Sequence, residues 1–104
     1  MKVYCIGTEG VVRGFALIGI EGAVPADPQA VETMLADVLR REDVGLVLVT
    51  ERLAAAADQQ ITAWSLTRRQ PLVLEIPDEA GPVPDRRTVL SLVKEALGLG
   101  QTDE

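Results

Sequence analysis

Residues 44–50 read Val-Gly-Leu-Val-Leu-Val-Thr, seven positions without a charged side chain and with a β-branched residue at four of them. A strand apolar on both faces must be covered on both faces, which is the situation of a central strand of a parallel sheet held between helix layers. Few other architectures accommodate such a run in a chain of 104 residues, long enough for one domain with one core. Three further runs fit the same sheet. Residues 2–7 (KVYCIG) and 71–76 (PLVLEI) are mostly apolar, whereas 22–26 (GAVPA) is short and carries Pro25, which suits an edge strand.

Helical patterns alternate with these runs. Thr8 is placed to cap a first helix that has Val11, Val12, Phe15 and Ile18 at helical spacing. Asp27-Pro28 is a start signal, a capping carboxylate followed by proline at the first helical position. Val31, Met34, Leu35, Val38 and Leu39 then form one apolar stripe, with Arg40 and Arg41 at the helix end. A third helix is expected over residues 53–68, with Ile61, Trp64 and Leu66 inward, and a last one over 87–97, with Val89, Leu90, Val93 and Leu97 inward. The breaker-rich residues 77–84 (PDEAGPVP) lie between. The order β-α-β-α-β-α-β-α predicts an α/β three-layer sandwich around a four-stranded parallel sheet, receiver-like or flavodoxin-like in outline. Residues 1–77 form its core, and 78–104 a loop and a C-terminal helix able to detach, within a single domain.

Composition narrows the chemistry. With one Phe, one Tyr and one Trp, the core must be aliphatic. A net charge of −6 argues against nucleic-acid binding, which draws its affinity from phosphate neutralisation. Arg68-Arg69 and Arg86-Arg87 read as solvated helix ends or loops. The absence of histidine removes the commonest general base and metal ligand together, so zinc sites and Ser-His or Cys-His catalysis are excluded. The lone Cys5 reads as a small buried hydrophobe in a reducing compartment. No apolar stretch reaches transmembrane length and no signal peptide opens the chain, so a cytoplasmic location without membrane insertion is expected.

Ligands of open α/β sheets sit beyond the carboxyl ends of the strands. The stretch Gly7-Thr8-Glu9-Gly10-Val11-Val12-Arg13-Gly14 lies there, but it lacks both the GxGxxG spacing and a P-loop's Lys-Ser/Thr ending. Glu9 also places a negative charge where an anion would bind. A phosphate-accepting receiver site would need an aspartate ending the third strand, where Thr50 stands. Glu9, Glu51 and Asp78-Glu79 are a weak divalent-cation constellation, since acids in first helical turns already complement the helix dipole. No catalytic constellation and no cofactor site emerges. Gly10 and Gly14 weaken a helix by ~1 kcal/mol each relative to alanine, which points to close approach of a neighbour. Gly19 and Gly22 read as a turn into the second strand. Trp64 reads as core, and as a contact surface where it is partly exposed.

Several segments resemble the F subunit of the archaeal and bacterial A/V-type ATP synthases over nearly the whole chain. They are the opening KVYCIG, Gly14-Phe15-Ala16-Leu17-Ile18-Gly19-Ile20, Val47-Leu48-Val49-Thr50-Glu51-Arg52 and Pro71-Leu72-Val73-Leu74-Glu75-Ile76-Pro77. A final helix closing at Leu97-Gly98 also matches. Ala16 stands where that family usually has arginine, which puts any polar contact made there in doubt. The resemblance implies a non-catalytic central-stalk component, cytoplasmic and peripheral to the membrane. It would bind the coiled-coil D subunit of the stalk and reach the catalytic A/B hexamer through a mobile C-terminal helix that modulates ATP hydrolysis. Contact residues expected on that basis are Phe15, Leu17 and Ile18, Trp64, and Val89, Val93 and Leu97 of the last helix. The alternative is a stand-alone regulatory domain binding a ligand or nucleotide near Gly7 to Gly10.

Overall fold

The computed structural model describes residues 1–67 and 70–84. The expected last helix, with Val89, Val93 and Leu97, lies outside the described residues, as do both arginine pairs. The strands are β1 (Lys2–Ile6), β2 (Glu21–Ala23), β3 (Val44–Thr50) and β4 (Leu72–Ile76), all parallel in the order β2-β1-β3-β4. This is the flavodoxin-like α/β arrangement, with the strand order reversing between β1 and β3. β2 lies at one edge as its proline promised, but it is shorter than expected and ends before Val24-Pro25.

Helix α1 (Glu9–Ala16) and helix α2 (Pro28–Leu39) cover opposite faces of the sheet. Side chains alternate along a strand. Tyr4 and Ile6 of β1, Val47 and Val49 of β3, and Val73 of β4 join Val31, Leu35, Val38 and Leu39 of α2 in the main core. Cys5, one step out of phase, faces α1, where Val12 packs beside Cys5 and Gly22. Its thiol is fully buried and pushed up to about 11 by burial, so Cys5 serves as an unreactive packing group.

Both helix starts follow from capping chemistry. Thr8 Oγ1 accepts from the Val11 amide at 3.3 Å, and Asp27 Oδ1 from the Ala30 amide at 2.9 Å, with Pro28 in the first turn. α1 closes in a Schellman motif: the Ile20 amide donates to the Phe15 carbonyl and the Gly19 amide to that of Ala16, with Gly19 at φ 87°. The turn into β2 therefore uses Gly19. Gly22, also expected in that turn, sits inside β2 opposite Cys5.

The third helix corrects the expectation most. In place of the single helix expected over 53–68, residues 51–65 are broken into three pieces. They divide into α3 (Glu51–Ala54), a 3-10 turn (Ala55–Ala57) and α4 (Asp58–Ser65). Alanine is the best helix former, so the break is tertiary in origin. Ala57 leaves the helical region at φ −127° and ψ 29°, while its methyl and that of Ala54 are buried in the core with α2. Ile61 points inward as expected, but Leu66 lies past the end of α4 and is 79% exposed.

At the amino ends of the strands Arg41 leaves α2 and binds two carboxylates. Its Nε and one terminal nitrogen meet Asp43 at 3.0 and 2.8 Å, its terminal nitrogens meet Glu21 at 3.2 Å, and its guanidinium lies 5.5 Å from the Tyr4 ring centre. The Arg41 hydrogen bonds hold the Asp43 carboxyl down at about 2. Arg41 thus ties the chain entering β2 to the chain entering β3, instead of supporting the helix end through its charge.

Candidate functional site

The carboxyl edge of the sheet is where this fold would hold a ligand. Gly7 packs there against Val11 and the methyl of Thr50, and the Thr50 hydroxyl is buried without a hydrogen-bond partner among the described residues. The start of α1 is not open to an anion. The hydroxyl of Thr8 donates to Glu79 Oε1 at 2.7 Å, and the other Glu79 oxygen lies where a Cβ on Gly10 would stand. That Thr8 hydrogen bond lowers the pKa of Glu79 and so favours its charged form. The chain's own carboxylate therefore lies at the helix start, where a phosphate would have to displace a like charge.

The acidic residues at this edge are each engaged separately. Glu51, 4% exposed, accepts from the Val83 amide at 3.0 Å. The side chain of Asp78, 6% exposed, meets Arg52 Nε at 3.2 Å and accepts from the Ala80 amide at 2.9 Å. Glu9 reaches Arg13 one turn along α1. Among the described residues no group of three acids or cysteines gathers to hold a metal.

The expected contact residues fall on two separate surfaces. Phe15 is half-buried, and Leu17 and Ile18 are 85% and 73% exposed where α1 ends. Phe15 and Ile18 share a shallow groove with Gly10, Gly14 and Ile76. Gly10 is approached by Glu79, but no described atom lies within 4 Å of a Cβ at Gly14, so the close approach expected of both glycines is found at Gly10 and not, among the described residues, at Gly14. Trp64 lies in the opposite layer. It packs on the core, donates from its indole N–H to the Pro71 carbonyl at 2.7 Å, and forms one wall of a second groove with Ala36, Leu39 and Ala63. The structure does not bring Trp64 together with the α1 surface.

Sequence reasoning missed Leu66 and Leu72, 79% and 59% exposed. It also missed the buried role of Glu51. Its first-turn position is visible in sequence, but its partner lies 32 residues away.

The fold and its surfaces define a flavodoxin-like α/β module with exposed apolar residues on the α1 layer and a ligand edge closed by its own carboxylates. A family model described as ATP synthase (F/14-kDa) subunit matches residues 3–93. The chain belongs to that family, and is thus a non-catalytic component of an A-type ATP synthase. It is 30% identical to the F subunit of the A-type ATP synthase of Thermococcus kodakarensis and 34% identical to that of Pyrococcus furiosus, with 95% of this chain and 96% of each relative covered. The corresponding F subunit of Methanothermobacter thermautotrophicus is 29% identical, with 94% of this chain and 93% of that one covered. Among the described residues no helix is long and apolar enough to cross a membrane.

Proposed function

We propose that this protein belongs to the central rotor stalk on the cytoplasmic side of the membrane, peripheral to it, and binds the coiled-coil D subunit. The observation that carries the reading is the adjacent pair Leu17 and Ile18, exposed at the end of α1 in a component of a multi-subunit ATPase. Large apolar side chains side by side on a small domain mark a protein contact. Phe15 backs this pair as the fixed part of the surface, and Trp64 with its groove offers a second contact on the other layer. Residues 78–104 serve as the element that reaches the catalytic A/B hexamer and modulates hydrolysis, with Val89, Val93 and Leu97 as its contact side chains. Ala16, exposed beside Leu17, leaves this contact without the arginine usual in the segment, so its energy comes from apolar burial.

Replacing Leu17 and Ile18 together by aspartate tests the assignment. Both side chains stand in water, so the melting temperature should move little, as surface substitutions usually stay within about 0.5 kcal/mol each. The affinity for the D subunit should fall at least about tenfold, a loss of about 1.4 kcal/mol. Unchanged affinity in a titration with that coiled-coil partner would remove this surface from the contact.

A further inference from the structure

The segment 77–84 is not built like a solvated linker. It turns through Gly81 at φ 90°, with the Gly81 amide donating to the Asp78 carbonyl at 2.9 Å. Three side chains from two other parts of the chain hold it down: Glu51 on the Val83 amide, Arg52 on Asp78, and Thr8 on Glu79. Acids normally face water, yet here Glu51 at the start of α3 and the side chain of Asp78 in the segment are more than nine-tenths buried. Burying a carboxylate is unfavourable unless donors replace its hydration, and the Val83 amide, the Ala80 amide and the Arg52 guanidinium supply them. The Ala80 amide is local to the turn, but the Val83 amide reaches Glu51 and the Arg52 guanidinium reaches Asp78 only while the segment lies across the carboxyl edge of the sheet. The carboxylates and the seated segment therefore require each other.

We propose that residues 77–84 are a strap latched by Glu51, with Arg52 and Thr8 as flanking catches, and that Glu51 is a positioning residue. It fixes the point at residue 84 from which the chain continues to its C-terminal end. The consequence for hydrolysis rests on the role proposed above for residues 78–104; the latch itself does not.

Native-state hydrogen exchange on the full chain tests the latch. In Glu51→Ala the Val83 amide should exchange at least tenfold faster, while the Val47 and Val49 amides inside the sheet keep their rates. Glu51→Gln, which keeps an acceptor oxygen, should stay near the wild-type value. An unchanged Val83 rate in Glu51→Ala overturns the latch. If every amide accelerates together, Arg52→Met and Thr8→Val decide instead. Each acts at the surface side of the strap, and each should speed Val83 or Gly81 at least threefold with the sheet protected; no change in either overturns the proposal. In an assembled ATPase, Glu51→Ala should alter the hydrolysis rate at least twofold while the D subunit stays bound. Faster Val83 exchange with an unaltered rate would overturn the regulatory role of residues 78–104 and leave the latch standing.

Discussion

Replacing Leu35 by alanine should lower the stability of the fold by about 3 kcal/mol, inside the range of roughly 2–5 kcal/mol for such truncations in packed cores. Leu35 is fully buried at the middle of the α2 stripe, in one cluster with Ile6 of β1, Val47 and Val49 of β3, and Ile61 of α4. Every layer on that face of the sheet meets around it. Apart from Tyr4 and from Trp64 packed against it, the described core is aliphatic, so a lost isobutyl group leaves a cavity that small aliphatic neighbours fill poorly. For a domain of this size the melting temperature should drop by roughly 10–20 °C. Thermal or denaturant unfolding measures it directly, and a loss under about 1 kcal/mol would mean that the core is not packed as described.

The second large effect has a sign that propensity gets wrong. Glycine inside a strand is less favourable than alanine by roughly 0.5–1 kcal/mol, so propensity alone predicts that Gly22→Ala stabilises β2. The geometry predicts the reverse. A Cβ at Gly22 would stand 2.7 Å from the Cys5 carbonyl oxygen and 3.1 Å from Val12 Cγ1. The first of these is backbone of the neighbouring strand and cannot swing away. β2 has only three residues at the edge of the sheet, so the strain falls on its pairing with β1 and on the seat of α1. We expect a destabilisation of about 1–3 kcal/mol, as for other overpacked sites. A stabilised variant in a denaturant titration would show that α1 and β2 are not held this closely.

These two positions also show how far the sequence can be read. The Leu35 stripe and its Asp27-Pro28 start depend on neighbours three or four residues apart, and local spacing reports them faithfully. The apolar run of β3 declared its own burial on both sheet faces, and with it the parallel sheet. Gly22 looked like a turn residue because its reason is a carbonyl on another strand. The alanine run after Arg52 looked like one helix because propensity is local, whereas its break comes from packing with α2. Glu51 looked like a dipole-complementing acid, and it does open α3, but its partner is the amide of Val83. At the candidate site the apolar surface at Phe15, Leu17 and Ile18 was legible as a segment. That Trp64 belongs to a separate surface was not, because helix order does not tell which layer a side chain meets.

The Gly7 to Gly10 stretch shows the same limit from the other side. Its spacing and Glu9 already spoke against a phosphate site. What the sequence could not supply was Glu79, 71 residues from Thr8, lying over the start of α1. Gly10 bears on this contact in a way no motif contains: a side chain there would push the Glu79 carboxylate aside.

Co-expression of this chain, carrying an affinity tag, with the D subunit of the same ATPase is the most direct test of the stalk assignment. The expected result is a one-to-one complex that survives size-exclusion chromatography and is lost in the Leu17→Asp, Ile18→Asp variant. A tagged chain that elutes alone, with the folded coiled-coil partner recovered from the same cells, would contradict it.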